Sequence, residues 1–224
     1  MPDRSRAREL AAEFFGKGDP TGWFEVLYQE AAAGKSVVPW ADLSPTPHLL
    51  GFWRAHPQET AGKSALVIGS ALGDDAEQLS TWGYRTTAFD ISETAVLSAA
   101  KRYPHTAVDY LVADLLAPPS SLNRQFDFVL EANTLQALHA GLRPRAIEKI
   151  VEFLNPSGLL LVIARGRELS DPEGQMPWPL TRAELSAFKA ASLEELSFED
   201  LLSHEDPAEP PVRRFRVLYK SKSV

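Results

Sequence analysis

From residue 64 onward, short apolar runs alternate with helical patterns, and that alternation leaves few folds open to the chain. The strand candidates are residues 65–69, 85–90, 109–113, 126–131 and 159–165. Between them the spacing predicts helices over 75–82, 92–103 and 143–154. Strands separated by helices pair in parallel, with both faces of the sheet covered. The run Leu159-Leu160-Leu161-Val162-Ile163 fits burial on both sides, having no polar residue to turn toward water. Two late strands, 195–201 and 212–219, have no helix between them and predict an antiparallel hairpin at one edge. The expected fold is therefore α/β: a seven-stranded, mostly parallel sheet, helices on both faces, and a C-terminal hairpin.

The N-terminal part has a different texture. Residues 4–15 have helical spacing, with Leu10, Ala11, Phe14 and Phe15 on one side. A Gly/Pro break follows, and residues 23–33 form a second helical pattern in which Trp23, Val26, Leu27 and Glu30 share a face. The proline-rich passage 38–47 should be extended or turning, and 49–54 suggests a short helix. Val37, Val38, Trp40 and Leu43 make this passage too apolar for a free tail. The expected organisation is a helical lid, residues 1–60, packed on one compact unit, 61–224. Farther on, Thr181 and Glu184 have the spacing of a helix-starting capping box.

The net charge of −7 argues against nucleic acid or anionic lipid as a partner. The densest basic run, Arg213, Arg214 and Arg216, reads as the outer face of a strand. Without cysteine there is no disulfide framework, thiolate metal site or cysteine nucleophile, which fits the cytosol. The five histidines, His48, His56, His105, His139 and His204, are scattered, so no metal site is expected. No stretch reaches the roughly 18–20 apolar residues of a membrane span. The first ten residues lack the apolar core of a signal peptide.

Chemistry concentrates where the strands end. The first strand runs into Gly69-Ser70-Ala71-Leu72-Gly73-Asp74-Asp75, a tight turn into a helix. Glycine serves there for a sharp backbone turn or a ligand lying against it. A dinucleotide would bring a pyrophosphate, which Asp74 and Asp75 would oppose; Ala71 also stands where the middle glycine belongs. Two carboxylates at a helix start also suit its dipole with no ligand at all. As ligand groups they suit an ammonium and a sulfonium, the charges of S-adenosylmethionine. Asp90, followed by Ile91 and Ser92, either accepts from ribose hydroxyls or helps cap the next helix. Asp114, beside Leu115, either accepts from an adenine amino group or closes a turn. Glu131 follows four apolar strand residues and either holds an ammonium or acts on an acceptor. Arg165 has two readings: a cation for an anionic acceptor, or an ion-pair partner of Glu131 or Asp127.

These pieces, with Gly83 through Ala95, Val112-Ala113-Asp114-Leu115, Phe126-Asp127-Phe128-Val129, Leu142-Arg143-Pro144-Arg145 and Leu154-Asn155-Pro156-Ser157-Gly158, resemble the Rossmann-like core of class I methyltransferases over residues 65–165. More narrowly, the chain resembles the thiopurine methyltransferase-like family, which includes thiol and halide methyltransferases. Val38-Pro39-Trp40, Ser44-Pro45-Thr46-Pro47 and Trp178-Pro179-Leu180-Thr181 are similar to that family's lid and following segment. The resemblance implies S-adenosylmethionine as cofactor and a small-molecule acceptor. It assigns Trp40, Gly69, Ser70, Ala71, Gly73, Asp75, Asp90, Ile91, Asp114, Leu115, Glu131 and Ala132 to the cofactor. Asn133, Gln136, Arg165 and Trp178 are the candidates for the acceptor. The alternative for Trp40 is plain packing with Trp23, Phe24, Phe52 and Trp53. Two features depart from the family: Ala71, and the segment 133–139, which matches no known acceptor motif. No dedicated base is visible, which favours a soft nucleophile such as a thiolate or halide. The rival readings are a non-catalytic protein that binds the same cofactor and an NAD-dependent oxidoreductase.

Overall fold

The computed structural model describes residues 3–204 and 210–222. Its centre is a seven-stranded sheet in the order β3-β2-β1-β4-β5-β7-β6. The strands are β1 (Ser64–Ile68), β2 (Arg85–Asp90), β3 (Asp109–Val112), β4 (Phe126–Ala132), β5 (Leu154–Arg165), β6 (Leu193–Ser203) and β7 (Val212–Ser221). The first five strands pair in parallel; β7 runs antiparallel between β5 and β6. The late hairpin thus forms as expected, its second strand beside β5 and its first at the edge. From β1 the chain moves outward through β2 to β3, then crosses back to β4 and β5 on the other side. That reversal opens a crevice at the carboxyl ends of β1 and β4, the place where such sheets bind ligands.

Side-chain alternation divides the core between the two faces. Leu66, Ile68, Val129, Leu160 and Val162 point to the face covered by α6 (Arg143–Glu152) and α8 (Ala187–Ala190). Ala65, Val67, Phe128, Leu130, Leu161 and Ile163 point to the other, covered by α3 (Pro47–Ala55) and α4 (Asp74–Thr81). The last wall helix is α5 (Glu93–Arg102), with Ser92 as its N-cap accepting from Ala95 N–H. Between α6 and α8 lies α7 (Arg182–Leu185), which starts with the expected capping box of Thr181 and Glu184.

Above the crevice lie α1 (Ser5–Gly16) and α2 (Trp23–Ala32). They bury Leu10, Ala11, Trp23 and Leu27 together with Met176 in a third apolar cluster, with Trp40 and Trp178 packed against it. A polar clamp fixes this layer to the core. The Glu25 carboxylate of α2 accepts from the Ser92 and Thr94 hydroxyls and from Thr94 N–H at the start of α5. Burial pushes the Glu25 pKa up, but those donors outweigh it and hold it below the ordinary glutamate value. The expectation for the passage before α3 needs correction: Val37 and Leu43 are exposed rather than buried. The anchor there is polar: Asp75 accepts from Thr46 N–H and Thr46 Oγ1.

The basic run on β7 also needs correction. Arg214 and Arg216 are buried rather than on an outer face, Arg216 beneath α3 and Arg214 at the cavity wall. Arg216 pairs with Glu199 and donates to the His48 carbonyl; Arg213 pairs with Asp200 and Glu168. Among the described residues, no helix is long and apolar enough to cross a membrane.

Gly73 shows what the first turn demands. Its φ is +91°, and a Cβ there would lie 2.3 Å from the Tyr110 hydroxyl, which itself bonds Glu77. Gly73→Ala is therefore expected to destabilise the fold by about 1–3 kcal/mol, from backbone strain and a displaced ring. A urea midpoint equal to that of the parent chain would contradict this account.

Candidate active site

The crevice holds a cavity of about 510 Å³. Its floor is the set of loops that follow β1, β2, β3 and β4, and its roof comes from α2, the passage before α3 and the segment around Met176. The structure brings most of the expected residues onto its wall. Trp40, Gly69, Ser70, Ala71, Asp75, Asp90, Ile91, Asp114, Leu115, Ala132, Asn133, Gln136 and Arg165 all line it.

Three expected residues do not line it. Gly73 sits behind the loop, against Tyr110. Glu131 is fully buried, and its Oε1 accepts from Thr134 N–H and Leu135 N–H, which braces the turn after β4, while its Oε2 is buried with no hydrogen-bond partner. Desolvation pushes its pKa up to about 7, against those two donors. Trp178 stacks on Phe15 behind the wall, with His139 edge-on to both rings. Its backbone N–H, rather than its ring, reaches toward the site by donating to the Gln136 carbonyl.

The loop after β1 is shaped from both sides. Gly69 has φ +62°, and a Cβ there would lie 2.4 Å from Thr134 Oγ1, so only glycine lets β1 and the turn after β4 meet. Ala71 has φ +49°, a left-handed conformation that costs a non-glycine residue roughly 1–2 kcal/mol. Its amide is turned toward Asp90: Ala71 N–H donates to Asp90 Oδ2 at 2.9 Å. The other carboxylate oxygen of Asp90 accepts from Ser92 N–H at 3.0 Å. Asp90 thus braces the turn before α5 and also lines the cavity. Burial pushes its pKa up to about 6, opposed by the amides of Ser92 and Ala71.

The acidic pair at the helix start is used internally. Asp74 forms an ion pair with Arg102 and accepts from the Tyr103 hydroxyl. Asp75, bound to Thr46, has its pKa raised by burial against those two hydrogen bonds. Asp114 accepts from Leu116 N–H and turns the chain after β3.

Several wall residues were not anticipated. Phe24 and Tyr28 lie one helical turn apart on α2, and both line the cavity. That i, i+4 aromatic spacing is the signal that would have found them. Tyr28 accepts from Trp40 Nε1 at 3.0 Å, which fixes the indole in the roof. Its pKa is raised well above the usual value by burial, reinforced by the charge of Asp90. His48 lines the wall from α3 and meets Ser203 Oγ through Nε2 at 3.2 Å. Arg214, misread as an outer-face residue, lines it from β7 and donates to Asn133 Oδ1 at 2.8 Å.

Residues 65–158 match a family model described as a methyltransferase domain. The chain is similar to that family over these residues, which run from β1 into β5. No curated protein matches it in sequence. Solved structures of the same fold include a 1,6-didemethyltoxoflavin-N1-methyltransferase from Burkholderia thailandensis with bound 1,6-didemethyltoxoflavin and S-adenosylhomocysteine. It has TM-score 0.68 and 17% identity, over 100% of this chain and 93% of that one. The N-methyltransferase NodS from Bradyrhizobium japonicum, with S-adenosylhomocysteine, has TM-score 0.68 and 18% identity over 88% and 98%. The [4+2]-cyclase SpnF has TM-score 0.64 and 19% identity over 79% and 81%. At these identities the likeness is one of fold.

The residues around the cavity suit S-adenosylmethionine. The Gly69–Ala71 backbone lies on the cavity wall. Ser70, on the wall, has a buried Oγ with no hydrogen-bond partner. Asp90 and Asp114 supply acceptors for hydroxyl and amino groups, and no basic residue of this loop waits for a pyrophosphate.

The raised pKa of Asp90 sets a pH dependence. The folded state holds that proton more tightly than the unfolded chain. Its contribution to stability is therefore full below about pH 4 and lost as pH rises through about 6. Hydrogen-bond acceptance by the carboxylate follows the opposite course. S-Adenosylmethionine is expected to bind more tightly at pH 7 than at pH 5. Asp90→Ala should flatten that dependence and weaken binding by roughly 1–3 kcal/mol. Calorimetry showing the same affinity in a folded Asp90→Ala protein would restrict Asp90 to bracing the two loops.

Proposed function

We propose that the chain transfers a methyl group from S-adenosylmethionine to a small molecule, and that its acceptor is a soft nucleophile such as a thiol. The observation that carries the reading is one cavity of about 510 Å³. Asp90 and Asp114 line one part of it, and Asn133, Gln136 and Arg165 another. A volume of a few hundred Å³ is typical of small-molecule sites and admits neither a folded protein nor a duplex. A kinship with the thiopurine methyltransferase-like family belongs to the same proposal. It is supported by the N-terminal layer, which carries Trp40 onto the cavity wall.

When bound, S-adenosylmethionine supplies a methyl group already activated by its sulfonium, so displacement needs alignment more than acid–base help. The chain's residues do that aligning. Asp90 and Asp114 accept from the ribose and adenine, Leu115 packs on the ring, and the Gly69–Ala71 backbone carries the amino-acid end. Trp40, held by Tyr28, and the Met176 segment roof the cavity and keep water out. The lid, residues 1–60, acts through the Glu25 clamp and Thr46–Asp75 contact, which fix it over the loops.

A second reading rests on His48. An imidazole on the wall, hydrogen-bonded to Ser203, is placed to take a proton from a hydroxyl or amine acceptor.

Production of S-adenosylhomocysteine from thiols, phenols, amines and halides distinguishes the readings. Thiols are expected to give the highest kcat/KM. Faster phenols or amines, together with a loss of about a hundredfold or more in His48→Gln, would replace the first reading by the second. Tight cofactor binding with no turnover of any acceptor would leave a binding protein on this fold.

A further inference from the structure

Tyr28 is only 3% exposed, yet it lines the cavity. Its phenol oxygen accepts from Trp40 Nε1, and its own O–H donates to nothing among the described residues. A phenol can donate one hydrogen bond while it accepts others. A donor held out of water and left unused costs free energy, and buried donors nearly always have a partner. Phenylalanine fills the wall at Phe24, one turn earlier on α2, so packing alone does not call for the hydroxyl.

The fold brings this donor to Asp90. Asp90 Oδ1 takes the Ser92 amide, and Ser92 Oγ donates to Glu25. Glu25 and Tyr28 are three residues apart on α2, neighbours on one helix face. The clamp that fastens α2 to the start of α5 therefore also carries Tyr28 to the Asp90 end of the cavity. The charge of Asp90 is felt there: after burial, it raises the Tyr28 pKa, so the phenol keeps its proton at neutral pH.

Asp90 supplies the complementary half. Its oxygens accept from the Ala71 and Ser92 amides, and once ionised it keeps further lone pairs but no proton to donate. No hydrogen bond joins it to Tyr28 directly. The cavity thus offers an acceptor from its floor and a donor from its roof. A hydroxyl satisfies both, because it donates and accepts at once. A carboxylate would be repelled by Asp90, and an ammonium has no lone pair for the phenol.

We propose that Tyr28 donates to a ribose hydroxyl of S-adenosylmethionine, the same hydroxyl from which Asp90 accepts, so that the bound cofactor latches the α2 roof to the floor of the site. The inference rests on the S-adenosylmethionine reading and extends it to a positioning residue of the helical layer. Loading the site adds a hydrogen-bonded bridge across the crevice that the two walls do not make alone.

The test measures Kd by calorimetry with the full chain at pH 8, where Asp90 is ionised. The ligands are S-adenosylhomocysteine and its 2′-deoxy and 3′-deoxy analogues, each lacking one ribose hydroxyl. The hydroxyl preference is the Kd of an analogue divided by that of S-adenosylhomocysteine. For one of the two analogues, Tyr28→Phe is expected to cut this preference about five- to tenfold, the scale of one hydrogen bond. Trp40→Phe, which removes the indole donor and keeps the phenol, should leave it as in the parent chain. Preferences that stay within about twofold of the parent in Tyr28→Phe overturn the proposal, whatever happens to the S-adenosylhomocysteine affinity itself. An equal cut in Trp40→Phe would assign the effect to packing of the roof and overturns it too. Failure of the parent chain to bind S-adenosylhomocysteine would sink the cofactor reading and the latch with it, whereas tight binding with intact preferences in Tyr28→Phe sinks the latch alone.

Discussion

The site is organised around the buried carboxylate of Asp90. One oxygen takes the amide of Ala71 in the loop after β1, and the other takes the amide of Ser92 in the turn after β2. Ser92 passes the connection outward, since its hydroxyl donates to Glu25 on α2 while also capping α5. Two adjacent strand ends and the overlying helical layer are therefore linked through one acid. A carboxylate this buried is costly to ionise, which is why its pKa rises despite the amide donors. The cost is tolerable because those donors replace much of the lost hydration. Any ligand hydroxyl that reaches Asp90 joins a network already in place.

A second connection closes the crevice from the β4 side. Glu131 holds the amides of Thr134 and Leu135, and Thr134 Oγ1 donates to the Ile68 carbonyl at the end of β1. The missing Cβ of Gly69 is the space into which Thr134 fits. Glycine here serves the meeting of two loops at the switch point as much as the approach of a ligand. Together the two connections explain how strand ends that diverge in sequence become one continuous wall.

Much of this architecture was legible in the chain. Apolar runs and helical periods gave the order of strands and helices, because parallel strands buried on both faces leave little room for any other pattern. Helix starts at Ser92 and Thr181 were visible because capping is local chemistry. What stayed hidden depended on partners distant in sequence. The outer-face reading of Arg214 failed because what covers a strand's face is not written in the strand's own residues: Arg214 meets Asn133, 81 positions away, at the cavity wall. Glu131 looked exposed to a ligand because alternation gives the face of a strand but not what lies above it. Trp178 carried the right residue type into the right neighbourhood, yet its ring found Phe15, 163 positions away. The loops, by contrast, revealed themselves through glycine and acid placement, since their demands are set within a few residues.

Fold alone does not decide what such a crevice does, because the same architecture carries N-methyltransferases and a [4+2]-cyclase. The discriminating residues are those that the fold leaves free to vary. The acids near β1 and β2 are tied into structural contacts: Asp74 to Arg102, Asp75 to Thr46, Asp90 to two amides. That end of the cavity is a fixed frame. Beyond β4, the wall is assembled from a late strand, a short turn and the start of α3, which contribute Arg214, Gln136 and His48. None of these is needed to pair β1 with β2 or to shape the glycine loop. Selection for an acceptor can therefore act on them without disturbing the frame, and the chemistry particular to this chain is best sought there.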